Sequence, residues 1–406
     1  MSRGFSSVQA AVEAISRGEV VIVVDDEGRE NEGDFICAAE KATPENVNLI
    51  MTGRGDFCMP ILPDICQRLD VQPLVDSNTA PLGTAFMTPL DHRLNRTGIT
   101  AEERSRTVLT IVDPRSQPED FVRPGHVHLL LAKEGGVLRR AGHTEAAVDL
   151  ARMAGLAPAG VLCEILDESG NRASRDQLLV MAEEKDIEII TIEELIAYRR
   201  LTEKMVSRSA ETTLPTDSGE WKVIVYDVKY ETQQPVVLVR GDLEQAPQAP
   251  LVRMHSSCFT GDLLGSLRCD CGDQLQMALQ MIGRETYGVI VYLPQEGRGI
   301  GLTGKLKAYA LQDQGLDTVE ANLALGYKVD MRDYGTGIQI LKDLGLKEIR
   351  LLTNNPKKTE AFNLRGFDLK VVDQVPIISA ANEHNASYLA TKRNKMGHIL
   401  PKDPSE

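Results

Sequence analysis

Apolar and polar positions alternate along this chain in short stretches that predict strands and amphipathic helices rather than one long element. Near the start, Val8, Ala11, Val12 and Ile15 recur at the spacing of a single helix face. Residues 19–24 then become β-branched, and the apolar runs 159–166 and 187–191 predict two further buried strands, with helical patterns between them and over 191–201. The segment 207–219 is polar, built from small residues and without apolar periodicity. That is linker chemistry, and it places a linker at 204–219 between a domain 1–203 and a domain 220–406. Beyond it, 221–230 and 235–240 predict a hairpin pair, and helices then alternate with strands at Gly288–Leu293 and Glu348–Leu352. No internal repeat relates the halves. The expected fold class is α/β in the mixed α+β sense: two unlike domains, each a mixed sheet with packed helices.

Composition narrows the function. A chain of 406 residues is too long for one ordinary core. No stretch approaches the roughly 18 apolar residues that cross a bilayer, and the N-terminal residues lack the apolar centre of a signal peptide. Seven cysteines, an odd number at scattered spacings, argue against a disulfide framework and for a reducing compartment. The expectation is a cytoplasmic protein with no membrane partner. The formal charge of −14 opposes nucleic-acid binding, so any anionic substrate must be held by local arginines and lysines.

In the first half, Val24-Asp-Asp-Glu27-Gly-Arg29-Glu30-Asn-Glu32-Gly33-Asp34 leaves an apolar run for an acidic, glycine-punctuated loop. If extended, it would put Glu30, Glu32 and Asp34 on one face. Either a hard divalent cation compensates those carboxylates, or the loop is a solvated acidic turn. Arg139, Arg140, Ala141, Gly142, His143 and Thr144 stand just before a helical stretch at 146–153, which combines helix-start N–H groups with cations and a hydroxyl, as a phosphate requires. His143 taken alone is more readily read as an ordinary capping or core histidine. Glu164 interrupts an apolar strand, and a buried carboxylate needs a metal or a partner, or else its pKa rises, which makes it a candidate acid or base.

The second half offers Cys258, Cys269 and Cys271 within Arg253-Met254-His255-Ser256-Ser257-Cys258 and the Arg-Cys-Asp-Cys-Gly run that follows. Three cysteines without a fourth suggest an open, hydrolytic zinc site. A closed knuckle completed by His255 and a set of unrelated thiols are the alternatives. Gly299-Ile-Gly-Leu-Thr-Gly304-Lys305 imitates a P-loop but has Leu306 where a Mg²⁺-binding hydroxyl is required. Glu296-Gly297-Arg298 before it reads instead as a close-approach turn with one fixed cation for a polyphosphate.

The acidic string, Arg123-Pro-Gly-His126, Arg140-Ala-Gly-His143-Thr144 and the Glu164 strand resemble 3,4-dihydroxy-2-butanone 4-phosphate synthase over residues 1 to about 200. The resemblance implies Mg²⁺ (or Mn²⁺) on Glu30 and His143. It implies ribulose 5-phosphate on Arg29, Glu30, Asp34, Arg140, Ala141, Gly142, His143, Thr144 and Glu164, with His126 and Glu164 catalytic. Asp56, His128 and Leu129 depart from the pattern expected of that family.

From about residue 220 to Leu400 the chain resembles GTP cyclohydrolase II, through the three cysteines, Gln295-Glu-Gly-Arg298, Asp317-Thr318-Val-Glu-Ala-Asn322 and Thr353-Asn-Asn-Pro-Lys-Lys358. This implies Zn²⁺ on Cys258, Cys269 and Cys271, and GTP, with Mg²⁺ on its triphosphate, on Arg253, Met254, His255, Ser256, Ser257, Gln274, Glu296, Gly297, Arg298, Thr318, Thr353 and Lys358. Asp330 takes the proton-acceptor position, Arg332 the nucleophile position and Tyr309 that of a catalytic tyrosine. Ser257 stands where glutamate is expected. The implied whole is a fused enzyme, expected as a homodimer, that supplies both entry substrates of riboflavin synthesis. A second half of reduced activity, or one that only senses GTP through a zinc-binding module, is the alternative.

Overall fold

The computed structural model describes residues 4–327, 332, 334–362 and 368–400. The chain forms two units, Met1–Thr202 and Glu203–Glu406, each built on a seven-stranded mixed sheet with helices packed on it. The mixed α/β expectation therefore holds.

The first unit's strands are β1 (Val21–Val24), β2 (Gly33–Ala38), β3 (Cys58–Ile61), β4 (Phe86–His92), β5 (Phe121–Leu131), β6 (Gly160–Glu164) and β7 (Ile189–Thr191), in the order β4-β5-β3-β6-β2-β1-β7. The central strands are apolar on both faces because both are covered. Ile22, Val24, Phe35 and Cys37 face one buried layer, while Val21, Val23, Ile36 and Ala38 face the other. The helix His143–Met153 packs its alanines and Leu150 on the second layer. The antiparallel register of β2 and β6 puts Asp34 directly opposite Glu164.

The second unit's strands are β8 (Val206–Thr216), β9 (Gly219–Val228), β10 (Val236–Arg240), β11 (Leu251–Ser256), β12 (Gly288–Leu293), β13 (Glu348–Leu352) and β14 (Lys370–Val375), in the order β14-β13-β11-β12-β10-β9-β8. Fully buried Trp221 packs with Leu251, Ile282, Ile290 and Leu352. Strands β11, β12 and β13 run parallel, so their C-terminal ends open on one side of the sheet. In a parallel sheet that is where ligand crevices form.

The polar segment expected to be a linker, 204–219, is not one. Residues 206–216 form β8, which pairs along its length with β9. After Val206 every residue of β8 is exposed, so neither face needs apolar side chains and the period-two signal of a strand never appears. Arg208 and Lys204 are both tied to Asp343.

Candidate active sites

The first site is assembled by a loop that folds on Asp25. The Asp25 carboxylate accepts from Glu30 N–H at 3.1 Å, Glu32 N–H at 3.0 Å and Arg29 at 2.8 Å. The loop is thus a turn, with Asn31 at φ 52°, rather than the extended run that would align Glu30, Glu32 and Asp34. The gathering point is His143 at the start of its helix. Its ring forms one donor group with Asp25 and Glu30 and another with Glu32 and Asp34, the atoms within each group lying within 4.8 Å of one another.

His143 Nε2–H donates to the Val23 carbonyl at 3.1 Å, which leaves Nδ1 as a lone pair 3.7 Å from Asp34 Oδ1. Burial pushes this histidine down to about 4, so the ring is neutral at neutral pH. Burial pushes Asp34 well above the usual carboxylate range, with Glu164 and Glu32 adding to it. Burial, then Glu30 and Glu164, raises Glu32 to about 7. Among the described residues Asp34 Oδ1, buried, has no hydrogen-bond partner. Mutually repelling carboxylates, an orphan oxygen and a neutral imidazole lone pair make a donor set that suits a hard divalent ion such as Mg²⁺ or Mn²⁺.

Glu164 Oε2 accepts from Asp56 N–H at 2.8 Å, and burial raises this carboxyl as well. A Cβ on Gly55 would come within 2.4 Å of that oxygen, so only glycine lets the loop lie against it. The Asp56 departure does not disturb this contact, which is made by the backbone. Arg140 donates to buried Glu145 at 2.7 Å and to Thr84 at 2.8 Å. A Cβ on Gly142 would lie 2.5 Å from Arg140 Nη1 and 3.1 Å from Arg29 Nη2, so both cations flank the N-cap of the helix that Ala141 leads into and Thr144 belongs to. His126 is oriented by Asp91, a residue that sequence reasoning missed. Its N–H donates to Oδ1 at 3.0 Å, and its Nδ1–H donates to Oδ2 at 2.6 Å.

The second site lies at the ends of β11, β12 and β13. Cys258, Cys269 and Cys271 bring their sulfurs within 4.8 Å of one another, with Cys258 and Cys269 3.7 Å apart. A tetrahedral zinc with Zn–S of about 2.3 Å separates its sulfurs by about 3.8 Å, so the spacing fits that ion. Among the described residues His255 does not join the group. It instead faces Asp262, 3.1 Å away, and stacks on Tyr292. Among the described residues the three thiols therefore stand together without His255, the arrangement expected of an open site rather than of a closed knuckle.

Cys258 is held far below the usual thiol range by hydrogen bonds from Cys269 and Cys271 and by Lys305, while the other two thiols are pushed up, chiefly by Cys258. Lys305 bridges Cys258 Sγ and Glu296 Oε1, each at 2.9 Å. The lysine of the P-loop look-alike thus serves the thiol cluster. Asp262 was also missed: it accepts from Cys258 N–H at 2.9 Å and from Tyr292 O–H at 3.0 Å.

One pocket brings together this cluster, Ser256, Ser257, Gln274, Glu296, Gly297, Arg298, Tyr309, Thr318, Arg332, Thr353 and Lys358 with Arg253 and His255. Arg253 donates to Leu352 O at 2.8 Å and to Gln274 at 2.6 Å. Met254 is the exception among the expected contacts. Along β11 it points away from Arg253 and His255 into the core, where a Cβ on Gly337 would meet it, and its carbonyl accepts from Lys358 at 2.7 Å. Asp330 lies outside the described residues. Burial pushes the Tyr309 hydroxyl up to about 12, and Arg268 lies over its ring at 4.5 Å.

The 3,4-dihydroxy-2-butanone 4-phosphate synthase family model matches residues 9–198, and that of GTP cyclohydrolase II matches residues 207–376. A riboflavin biosynthesis protein RibBA of Bacillus cereus is 54% identical over 98% of this chain and 99% of its own length. The chain belongs to the RibBA family. The Bacillus subtilis RibBA is 52% identical over the same shares. Among solved structures, RibBX of A. baumannii, a two-domain 3,4-dihydroxy-2-butanone 4-phosphate synthase, is similar at 33% identity and a TM-score of 0.70, covering 92% of this chain and 100% of its own. A further 3,4-dihydroxy-2-butanone 4-phosphate synthase, 35% identical and covering 49% of this chain, was solved in complex with two magnesium ions. The RibBA family thus joins both enzyme domains in one riboflavin biosynthesis chain, and the GTP cyclohydrolase II match begins inside β8 rather than after it.

Proposed function

We propose that each unit carries one activity. The first converts ribulose 5-phosphate to 3,4-dihydroxy-2-butanone 4-phosphate and formate. The second converts GTP to 2,5-diamino-6-hydroxy-4-(5-phosphoribosylamino)pyrimidine, formate and pyrophosphate. The observation that carries this reading is that each unit gathers a donor set of a different chemistry: carboxylates around a neutral imidazole in one, three thiols in the other. When bound, Mg²⁺ or Mn²⁺ on Glu30 and His143 and Zn²⁺ on Cys258, Cys269 and Cys271 supply Lewis acidity, to the sugar oxygens and to water respectively.

In the first site Arg29, Arg140, Thr144 and the unpaired N–H groups at the helix start hold the phosphate. Glu164, raised by burial, exchanges protons with the sugar as it enolises and its skeleton migrates. His126 is the second base. With Nδ1–H given to Asp91, its Nε2 carries the lone pair that removes a proton.

In the second site Arg298, Lys358 and Arg332 offset the charge of a triphosphate, which arrives with its own Mg²⁺, so that pyrophosphate can leave. Tyr309 keeps its proton and acts as a donor, Asp330 accepts a proton, and Arg332, whose guanidinium lies over Tyr334 at 5.9 Å, stabilises charge. Ser257 N–H donates to Leu293 O at 2.8 Å, and the thiols stay grouped beside Lys305, so the departure at 257 leaves the donor set intact. Formate release from each substrate by one preparation tests the reading, with Glu164→Gln expected to remove only the ribulose 5-phosphate reaction.

A further inference from the structure

The helix Ala386–Met396 and the turn after it lie beyond residue 376, where the family match ends. Its residues 388, 392, 395 and 396 share one helix face, and that face meets several parts of the nucleotide pocket. Lys392, whose side chain is 9% exposed, donates to Asp270 Oδ1. Asp270 stands between Cys269 and Cys271, and its other oxygen accepts from Gln274 at 2.7 Å, which in turn accepts from Arg253 at 2.6 Å.

Arg298 is held at φ 61°, a conformation that favours glycine, and it too is fixed from this helix. It donates to the Tyr388 hydroxyl at 3.4 Å, lies over the Tyr388 ring at 5.7 Å and reaches Met396 Sδ at 3.0 Å. Lys395 pairs with Asp317, the cap of the helix Thr318–Ala324, and with Glu320 at 3.0 Å. Past the helix, Ile399 N–H donates to Asn354 O at 2.9 Å, and His398 lines the pocket. Four segments that build the site, the Cys269–Cys271 loop, the Glu296–Arg298 turn, the start of Thr318–Ala324 and the turn after β13, are each tied to this last stretch.

We propose that the C-terminal helix is a fixed wall of the GTP site, with Lys392 and Tyr388 as positioning residues that aim Asp270 and Arg298. Lys392 fixes the carboxylate between two thiols and, through Gln274, the Arg253 guanidinium. Tyr388 fixes the cation of the polyphosphate turn. The proposal rests on reading the second unit as a GTP-hydrolysing site.

The test uses full-length protein carrying Lys392→Met, Lys392→Arg or Tyr388→Phe. Zinc retention against a chelator, binding of a non-hydrolysable GTP analogue and formate release from GTP are each measured, with circular dichroism and thermal melting as the control for folding. Lys392→Met is expected to weaken zinc retention and analogue binding roughly ten- to a hundredfold, the usual cost of losing a partner of a ligand-bearing loop. Lys392→Arg should recover most of that loss, and Tyr388→Phe should raise KM for GTP more than it lowers kcat.

Zinc retention and binding within twofold of wild type in Lys392→Met would overturn the proposal. So would a Lys392→Arg protein no better than Lys392→Met, which would mark simple packing. If Lys392→Met fails to fold its unit, Lys392→Arg and Tyr388→Phe decide the matter. A wild-type protein that binds the analogue but releases no formate from GTP would overturn the hydrolytic reading alone, since zinc retention and binding still measure the wall.

Discussion

Replacing Asp91 with asparagine should disable the first reaction by reversing one tautomer. Asp91 Oδ1 accepts from the His126 backbone N–H at 3.0 Å, and an asparagine must keep its own oxygen there, because that N–H can only donate. Its amide nitrogen then occupies the place of Oδ2, 2.6 Å from His126 Nδ1. An N–H donor facing Nδ1 forces that nitrogen to accept, so the ring proton moves to Nε2 and the lone pair proposed to act on the sugar disappears. The side chains are isosteric and Asp91 is buried, so the geometry persists while the base is lost. A positioned general base contributes about 10²–10⁴-fold, or about 3–5 kcal/mol at roughly 1.4 kcal/mol per decade. The assay is initial-rate formate release from ribulose 5-phosphate, with formate from GTP as the internal control. A loss of under about threefold, with His126→Ala strongly impaired, would refute the tautomer argument.

Three other outcomes are expected. Cys269→Ser should lose zinc by metal analysis and lose GTP turnover together, while the ribulose 5-phosphate rate stays unchanged; full zinc with full GTP activity would contradict the three-thiol site. Glu32 sits at about 7 in the fold against a usual 4.5, so the folded, metal-free first unit holds a proton that the unfolded chain has released. Its contribution to stability is full below about 4.5 and is lost as pH rises through about 7, so the metal-free melting temperature should fall between about pH 4.5 and about pH 7 and be restored by Mg²⁺; a pH-independent melt would count against the carboxylate cluster. A fragment beginning at Glu203 should keep zinc and GTP turnover, whereas one beginning at Ser218 strips β8 from β9 and should melt lower; equal melting would mean that β8 does not support the sheet.

Much of this was legible because burial writes itself into sequence. Gly288–Leu293 and Glu348–Leu352 appear in the fold with the limits read from the sequence; the first is buried nearly throughout and reads as an apolar run, while in the second Ile349, Leu351 and Leu352 carry the buried positions. Strand β8 was not legible for the opposite reason: an edge strand wet on both faces carries no apolar period. The three cysteines could be grouped from spacing alone, and the structure keeps them together.

Asp25, Asp91 and Asp262 were hidden because each acts through a hydrogen bond to a neighbour rather than through a motif of its own. A lone aspartate at a strand end or in a loop has many ordinary explanations. Lys305 was visible but misdirected, since its spacing matched a phosphate-binding loop while its ammonium is spent on Cys258 and Glu296. Met254 was carried along with its neighbours, although strand alternation alone would have turned it to the other face.

The central claim, one chain with two separate formate-releasing sites, is tested most directly by supplying one preparation with ribulose 5-phosphate alone and then with GTP alone and measuring formate each time. The account predicts formate from both, with removal of the first unit's divalent ion stopping the sugar reaction and Cys269→Ser stopping only the GTP reaction. Formate from only one substrate, in a preparation that carries both metals, would contradict it.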